Sequence, residues 1–400
     1  MIYKNFKELK TSWLGMGNMR LPKIEGQNEK INENEAQKII EYAYQSGVNY
    51  FDTAYRYHSG ESETFVGKVL QQYPRDTFYL ATKIPGHMMI YKNGTFHFTG
   101  FYGNKPSPSP MEIFEEQLEK CRVDYFDFYL LHNLCETSYD FYTNEEIGVI
   151  TYLLEQKKRG RIKHFGFSSH GRPETIDTFL NWSKERFGNC FEFVQIQLNY
   201  LDWTLQEAWK KYEIITNHGL PVISMESCLG GRLASLGDKT DTILKQKRPH
   251  NSIVSWAFRF LQSLPNVQMV LSGMSTMEQI RENVAIFSTN DPTTAEEKKL
   301  LDEVVKPMLD MVPCTGCRYC CESCPKKLDI PKLIALYNEE KNADHYLWPS
   351  IDFTIDAMNE AELPAACIAC DTCTKLCPQG IEIPDVLKKF AQLLAKRRKL

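Results

Sequence analysis

Trp13-Leu14-Gly15-Met16-Gly17-Asn18-Met19-Arg20 opens the regular part of the chain, and Leu14 to Gly17 reads as its first strand. No G-x-G-x-x-G turn follows that strand. A doubly wound sheet that binds a dinucleotide uses this turn to bring backbone close to a pyrophosphate at a helix start. Its absence shifts the reading toward a closed barrel, the other architecture that alternates strands with helices. Further short apolar runs read as strands at Tyr50 to Thr53, Phe78 to Lys83, Phe128 to His132, His164 to Phe167, Phe193 to Gln197, Val222 to Met225 and Val267 to Leu271. Helical periodicity fills the intervals, as at Glu33 to Ser46, Pro110 to Cys121, Glu145 to Arg159, Glu174 to Phe187, Leu205 to Asn217 and Ser252 to Leu264. Eight such units in under ~300 residues is the usual size of a (β/α)8 TIM barrel, with a doubly wound sheet as the alternative.

The chain has 400 residues, 42% hydrophobic and 24% charged, with a formal net charge of -4. That length suits one large domain and a small one, and the weak net charge points to neither nucleic acid nor an anionic membrane as partner. No stretch approaches the ~20 apolar residues of a membrane helix, and the N-terminal residues Lys4, Lys7, Glu8 and Lys10 interrupt any signal-peptide centre. A cytoplasmic location is expected. The basic tail Lys396, Arg397, Arg398, Lys399 reads as a solvated helix end.

Thirteen cysteines are present, and nine of them lie between Cys314 and Cys377. In a large chain without a signal sequence this crowding reads as metal binding rather than disulfides. The runs Cys314-x2-Cys317-x2-Cys320-x3-Cys324-Pro325 and Cys367-x2-Cys370-x2-Cys373-x3-Cys377-Pro378 both have the spacing of bacterial ferredoxins. In that pattern three close thiolates hold one [4Fe-4S] cube and the fourth cysteine reaches the other. Cys314, Cys317, Cys320 and Cys377 would then hold one cluster, and Cys367, Cys370, Cys373 and Cys324 the second. Two four-thiolate zinc sites are the alternative. Cys321 is surplus, a buried spectator or a neighbour of the cluster. Cys121, Cys135, Cys190 and Cys228 are spread through the first part and read as core. Ile330-Pro331 and Ile383-Pro384 stand in comparable places after the two runs, which marks an internal duplication. The organisation expected is a barrel over 1–294 and a small α-rich ferredoxin-like domain over 295–400, joined by a helical linker at 295–312.

The link between the third strand and its helix, Pro85 to Pro110, is long and carries His87, Tyr91, Phe96, His97, Phe98, Phe101 and Tyr102. It is either a substrate lid or a satellite apolar cluster. At the strand ends, Asp52, Lys83 and His132 close the second, third and fourth strands, and Tyr57 follows five residues after Asp52. In a TIM barrel these ends share one rim. Carbonyl reduction needs a proton donor for the oxygen that turns negative as hydride reaches carbon. A tyrosine near its ordinary pKa of ~10 is a sluggish acid. A neighbouring lysine would favour its phenolate, an aspartate would keep the lysine charged, and a histidine could orient the carbonyl or relay a proton.

This Asp, Tyr, Lys, His order resembles the aldo-keto reductase family over roughly Trp13 to Ser288, and the whole chain resembles members with a C-terminal two-cluster [4Fe-4S] extension. The resemblance implies Tyr57 as proton donor, Asp52 and Lys83 as its tuning pair, and His132 as the orienting group. It also implies NAD or NADP bound across the barrel mouth. Ser168, Ser169 and Gln195 would hold the carboxamide, and Met225 would replace the usual stacking aromatic. Gly17, Asn18, Gly273, Gln279 and Asn283 would line the rest of the cofactor. Gly273 and Gln279 fall where basic residues commonly read a 2′-phosphate. The expected activity is interconversion of a small-molecule carbonyl and alcohol, with the clusters passing electrons to a ferredoxin or flavoprotein partner or acting as a structural staple. The alternative is an electron-transfer iron-sulfur protein that uses the barrel as a docking scaffold.

Overall fold

The computed structural model describes residues 1–27, 30–98, 106–342, 355 and 358–397. Phe101, Tyr102, Arg398 and Lys399 of the expectations above lie outside them. The described chain separates into two compact units, which divide near Leu300.

The first unit is a closed barrel of eight strands: β1 (Leu14–Gly17), β2 (Tyr50–Asp52), β3 (Tyr79–Ile84), β4 (Phe126–Leu134), β5 (Ile162–Ser169), β6 (Val194–Gln197), β7 (Val222–Met225) and β8 (Val267–Gly273). They pair in chain order, all parallel, and β8 returns to β1 through Val270↔Leu14 and Gly273↔Gly17. A helix follows each strand: α1 (Glu33–Gln45), α2 (Ser62–Leu70), α3 (Pro110–Cys121), α4 (Val149–Lys158), α5 (Pro173–Phe187), α6 (Ala208–Asn217), α7 (Ile253–Gln262) and α8 (Met277–Ile286). Local chemistry sets these elements. Ala36, Ile39, Ile40 and Ala43 repeat at helical spacing and form the buried stripe of α1, whose first turn is capped by the Asn32 side chain on the Glu35 N–H. Ser109, just before α3, and Glu112 in its first turn form a reciprocal capping box, and Arg122 at φ 56° ends that helix. All nine residues of β4 are buried, as expected of a parallel strand covered on both faces.

Two antiparallel hairpins decorate the barrel. Tyr3–Phe6 and Leu9–Ser12 cover its N-terminal end, where Phe6 joins Tyr50, Phe128, Phe193, Ile223 and Met269 in one apolar cluster. That burial closes the barrel floor. Met89–Lys92 pairs with Thr95–Phe98 inside the long link after β3, so this link is partly ordered as a hairpin. None of the described helices is long and apolar enough to cross a membrane.

The second unit repeats one motif. A four-residue helix (Tyr319–Glu322) precedes α9 (Ile330–Asn342), and a four-residue helix (Thr372–Lys375) precedes α10 (Ile383–Arg397). Placing Cys314 on Cys367 also matches Gly316 (φ 68°) with Ala369 (φ 53°) and Arg318 (φ 66°) with Asp371 (φ 60°). The duplication therefore extends to backbone conformation. Leu333, Ile334, Tyr337, Leu387 and Phe390 form its core together with Cys320 and Cys373.

Candidate active site

The barrel rim places Asp52 and Lys83 side by side at the ends of β2 and β3. The Lys83 ammonium donates to Asp52 Oδ1 at 2.6 Å, Asp52 Oδ2 at 2.7 Å and the Thr53 carbonyl at 2.8 Å. The two carboxylate oxygens lie too close together to take one N–H each, so they share a donor, and Thr53 takes a second of the three. Burial raises the Asp52 carboxyl and lowers the Lys83 ammonium from their ordinary values, and each partner's charge opposes the other's shift. Below the pair lies a second polar layer. Glu63 is fully buried and accepts from Thr82 at 2.6 Å and Gln117 at 2.5 Å, while Gln117 also donates to the Lys83 carbonyl at 3.0 Å. This layer fixes the β3 end.

Tyr57 begins a tight turn in which His58 (φ 53°) and Ser59 (φ 56°) both take left-handed conformations. His58 Nε2 accepts the Leu21 N–H at 3.2 Å and ties the turn to the segment after β1. The Tyr57 ring is half-buried, with the Lys83 ammonium 5.3 Å from its centroid. Its edge meets the His132 ring at 6.0 Å and 85°. The structure thus gathers all four sequence-identified side chains.

Sequence reasoning named His87 only as part of the long link and gave His170 no role, yet both imidazoles lie near His132. His87 packs against it at 4.4 Å and 65°, held where Gly86 lies against Tyr142; a Cβ on Gly86 would come within 2.4 Å of that ring. Tyr142 in turn donates to the His132 carbonyl at 2.7 Å. His170, directly after β5, faces Gln197 at 3.1 Å, and its backbone N–H meets Asn133 Oδ1 at 3.1 Å. Burial lowers His87 to about 3 and His170 to about 4, and drives His132 well below the ordinary histidine value. At neutral pH the three rings carry no charge, so His132 is a hydrogen-bonding group and not an imidazolium. The signal for them was positional: each histidine lies within a few residues of a strand end.

Around this centre, Asn18 is buried and donates to the Asp52 carbonyl at 2.9 Å. Ser168 Oγ accepts the Asn133 N–H at 2.9 Å, and Ser169 donates to the Leu134 carbonyl at 2.6 Å, so both hydroxyls brace β4 against β5. Gln195 donates to Met225 Sδ at 3.4 Å, and its buried Oε1 has no hydrogen-bond partner among the described residues. An orphaned buried acceptor is costly, and an amide N–H from a bound carboxamide would relieve it. A nicotinamide therefore suits this wall. At α8, Thr276 caps the Gln279 N–H at 3.3 Å, Gln279 accepts the Ser275 N–H at 2.7 Å, and Asn283 donates to Ser272 at 3.0 Å. Gly17 and Gly273 are paired across β1 and β8. Arg20 pairs with Glu226 at 3.9 Å, and Arg281 lies over the Tyr42 ring at 5.7 Å.

In the second unit, Cys324, Cys367, Cys370 and Cys373 line one cavity together with Leu328, Ile330, Ile368 and Leu387. Soft thiolates at this density suit iron and sulfide. The Cys321 side chain and burial raise the Cys320 thiol, and Cys317 and Cys314 lie close enough to add to that rise. Cys377 is half-buried against the same core, with the backbone of Gln379, Gly380 and Ile381 hydrogen-bonded toward its sulfur. The duplication explains Cys321. It matches Thr374, whose Oγ accepts the Ile383 N–H at 3.3 Å at the start of α10. Cys321 thus stands at the start of α9, at the place of a bracing hydroxyl. Cys321→Thr is expected to keep full iron and sulfide content and thermal stability, because a hydroxyl there can accept the Ile330 N–H as Thr374 accepts that of Ile383; a stability gain over Cys321→Val of about 1 kcal/mol, read by urea titration, is the expected size of that contact. Loss of one cluster in Cys321→Thr would show that it is a ligand.

Comparison with known proteins agrees with this architecture. The aldo/keto reductase family matches residues 13–306, and the 4Fe-4S dicluster domain matches residues 313–382. An uncharacterized oxidoreductase, YqkF, of Bacillus subtilis is 25% identical over 320 residues, 73% of this chain and 92% of its own. The NADH-specific methylglyoxal reductase of Escherichia coli is 24% identical, covering 71% of this chain and 92% of its own. Among solved structures, the aldo-keto reductase AKR11C1 from Bacillus halodurans (holo form) superposes with a TM-score of 0.58 at 24% identity, over 76% of this chain and 96% of its own. An aldo-keto reductase from Klebsiella pneumoniae in complex with NADPH gives a TM-score of 0.58 at 17% identity, over 76% and 95%. With its eight-stranded parallel barrel and its paired cysteine runs, the chain is a member of the aldo/keto reductase family of oxidoreductases that carries a C-terminal 4Fe-4S dicluster domain.

Proposed function

We propose that the barrel interconverts a small-molecule carbonyl and its alcohol with a nicotinamide dinucleotide, and that Tyr57 delivers the proton. The observation that carries this reading is the buried Asp52–Lys83 pair beside the Tyr57 ring, with neutral His132 edge-on to it. A bound nicotinamide supplies hydride. The chain's part is to place the carbonyl oxygen between the Tyr57 hydroxyl and His132, and to stabilise the negative charge left on the Tyr57 oxygen with the nearby ammonium. Ser168, Ser169 and Gln195 would hold the carboxamide, with Met225 packed below it. Gly17, Asn18, Gly273, Gln279 and Asn283 would line the remainder. With Gly273 and Gln279 at the positions where a basic side chain would read a 2′-phosphate, NADH is the favoured donor over NADPH.

The C-terminal unit holds two [4Fe-4S] clusters in this reading, one on Cys314, Cys317, Cys320 and Cys377 and one on Cys367, Cys370, Cys373 and Cys324. They either pass single electrons to a ferredoxin or flavoprotein or stabilise their own unit. The decisive experiment is Tyr57→Phe in the anaerobically purified chain, assayed on a panel of aldehydes and ketones with NADH and with NADPH. Carbonyl reduction should fall about 10²–10⁴-fold with the cluster absorbance intact, and the unaltered chain should show the higher kcat/KM with NADH. Turnover unaffected by the substitution removes Tyr57 from the chemistry and leaves the electron-transfer scaffold as the reading.

A further inference from the structure

The duplicated halves of the C-terminal unit differ where their symmetry predicts sameness. Thr315, which follows the first cysteine of the first loop, is 4% exposed; its counterpart Ile368 is 56% exposed, the most exposed large apolar side chain among the described residues. The middle cysteine of the first loop, Cys317, is half-buried, while Cys370 is exposed. Arg318 of the first loop is paired with Asp329 at 3.1 Å, which latches that loop to the segment leading into α9. The same two positions in the second half carry Asp371 and Glu382, whose like charges cannot form that latch. One loop is tucked in and fastened. The other presents four consecutive exposed residues, Ile368 to Asp371, directly over the cavity that Cys324, Cys367, Cys370 and Cys373 line.

Electron transfer between proteins requires a short path from the cofactor to the surface. An exposed ligand cysteine provides that path, and an apolar residue beside it is readily stripped of water by whatever docks. We propose that the two clusters are unequal, and that the one held by Cys324, Cys367, Cys370 and Cys373 is the port through which the chain exchanges single electrons with carriers outside it. The proposal rests on the assignment of ligands given above. In the exchange one electron leaves the reduced cluster, its core charge rises by one, and the acceptor's charge falls by one. No bond forms or breaks.

Ile368 is the handle for the test, because it ligates nothing and its exposure lets it be replaced without disturbing the core. The full chain with both clusters loaded is reduced with dithionite, freed of excess reductant and mixed anaerobically with either hexaammineruthenium(III) or hexacyanoferrate(III), the visible absorbance reporting reoxidation. At physiological ionic strength Ile368→Lys should slow the cationic oxidant and speed the anionic one relative to Ile368→Glu, each by about threefold. Glu322→Lys, a charge change beside the first loop, should move both rates much less. Rates indifferent to the charge at 368, or more responsive to that at 322, overturn the port. A purified chain with no reducible iron–sulfide chromophore overturns both the port and the ligand assignment beneath it.

Discussion

Lys83→Met is expected to lower kcat/KM for carbonyl reduction by about 10²–10⁴-fold and, separately, to destabilise the barrel by about 3–5 kcal/mol. The first effect follows from losing the cation beside Tyr57. The second follows from Asp52, which is left buried with no counter-ion 2.6 Å away. Urea titrations should separate the two through the double variant Asp52→Leu/Lys83→Met. Removing both charges removes the cost of burying them, so stability returns while activity does not. The single variant should also show a telltale pH dependence. Burial already raises the Asp52 carboxyl, and without Lys83 nothing opposes that rise. A carboxyl whose folded-state pKa exceeds its unfolded value binds more protons when folded, so the Lys83→Met barrel gains stability as pH falls and is weakest at high pH. A double variant no more stable than the single one would mean that the pair is held for packing and not for charge.

Removal of iron and sulfide is expected to unfold the C-terminal unit and to spare the barrel. The two helices that frame the cysteine loops have four residues each, far below the ~12–15 residues an isolated helix needs. Arg318, Lys327, Ala369 and Asp371 all hold left-handed conformations that ordinary side chains avoid. The core is small, and cysteine side chains form part of it. Without metal to bind them, those thiols lose what compensates the strain. Chelation under reducing conditions should therefore erase the helical signal of α9 and α10 and open residues 313–382 to limited proteolysis. The thermal transition of the barrel should stay in place. A protease-resistant C-terminal unit after complete loss of iron would show that its apolar core suffices alone.

The barrel was legible in the sequence because each of its strands is a compact apolar run, and a parallel strand buried on both faces has to be one. The boundaries were less so: β4 extends from Phe126 to Leu134 and β5 through Ser169, since polar residues at their ends are buried by pairing rather than by hydrophobicity. The floor hairpin escaped notice because Tyr3–Phe6 and Leu9–Ser12 mix lysines with apolar residues, and of the residues they bury only Phe6 is apolar, Thr11 and Ser12 being polar. Asp52, Tyr57, Lys83 and His132 stood out as strand-end polar residues in sequence. His87 and His170 did not, because their neighbourhood depends on how β3, β4 and β5 lie together. The place of Cys321 was hidden for a similar reason. It became readable once the two halves could be laid over each other and Thr374 seen at the same place.

The corked floor has a corollary. With Phe6 seated among Tyr50, Phe128 and Phe193, that end of the barrel is filled with side chains, so changes there should alter how firmly the strands are held while leaving substrate choice to the opposite rim.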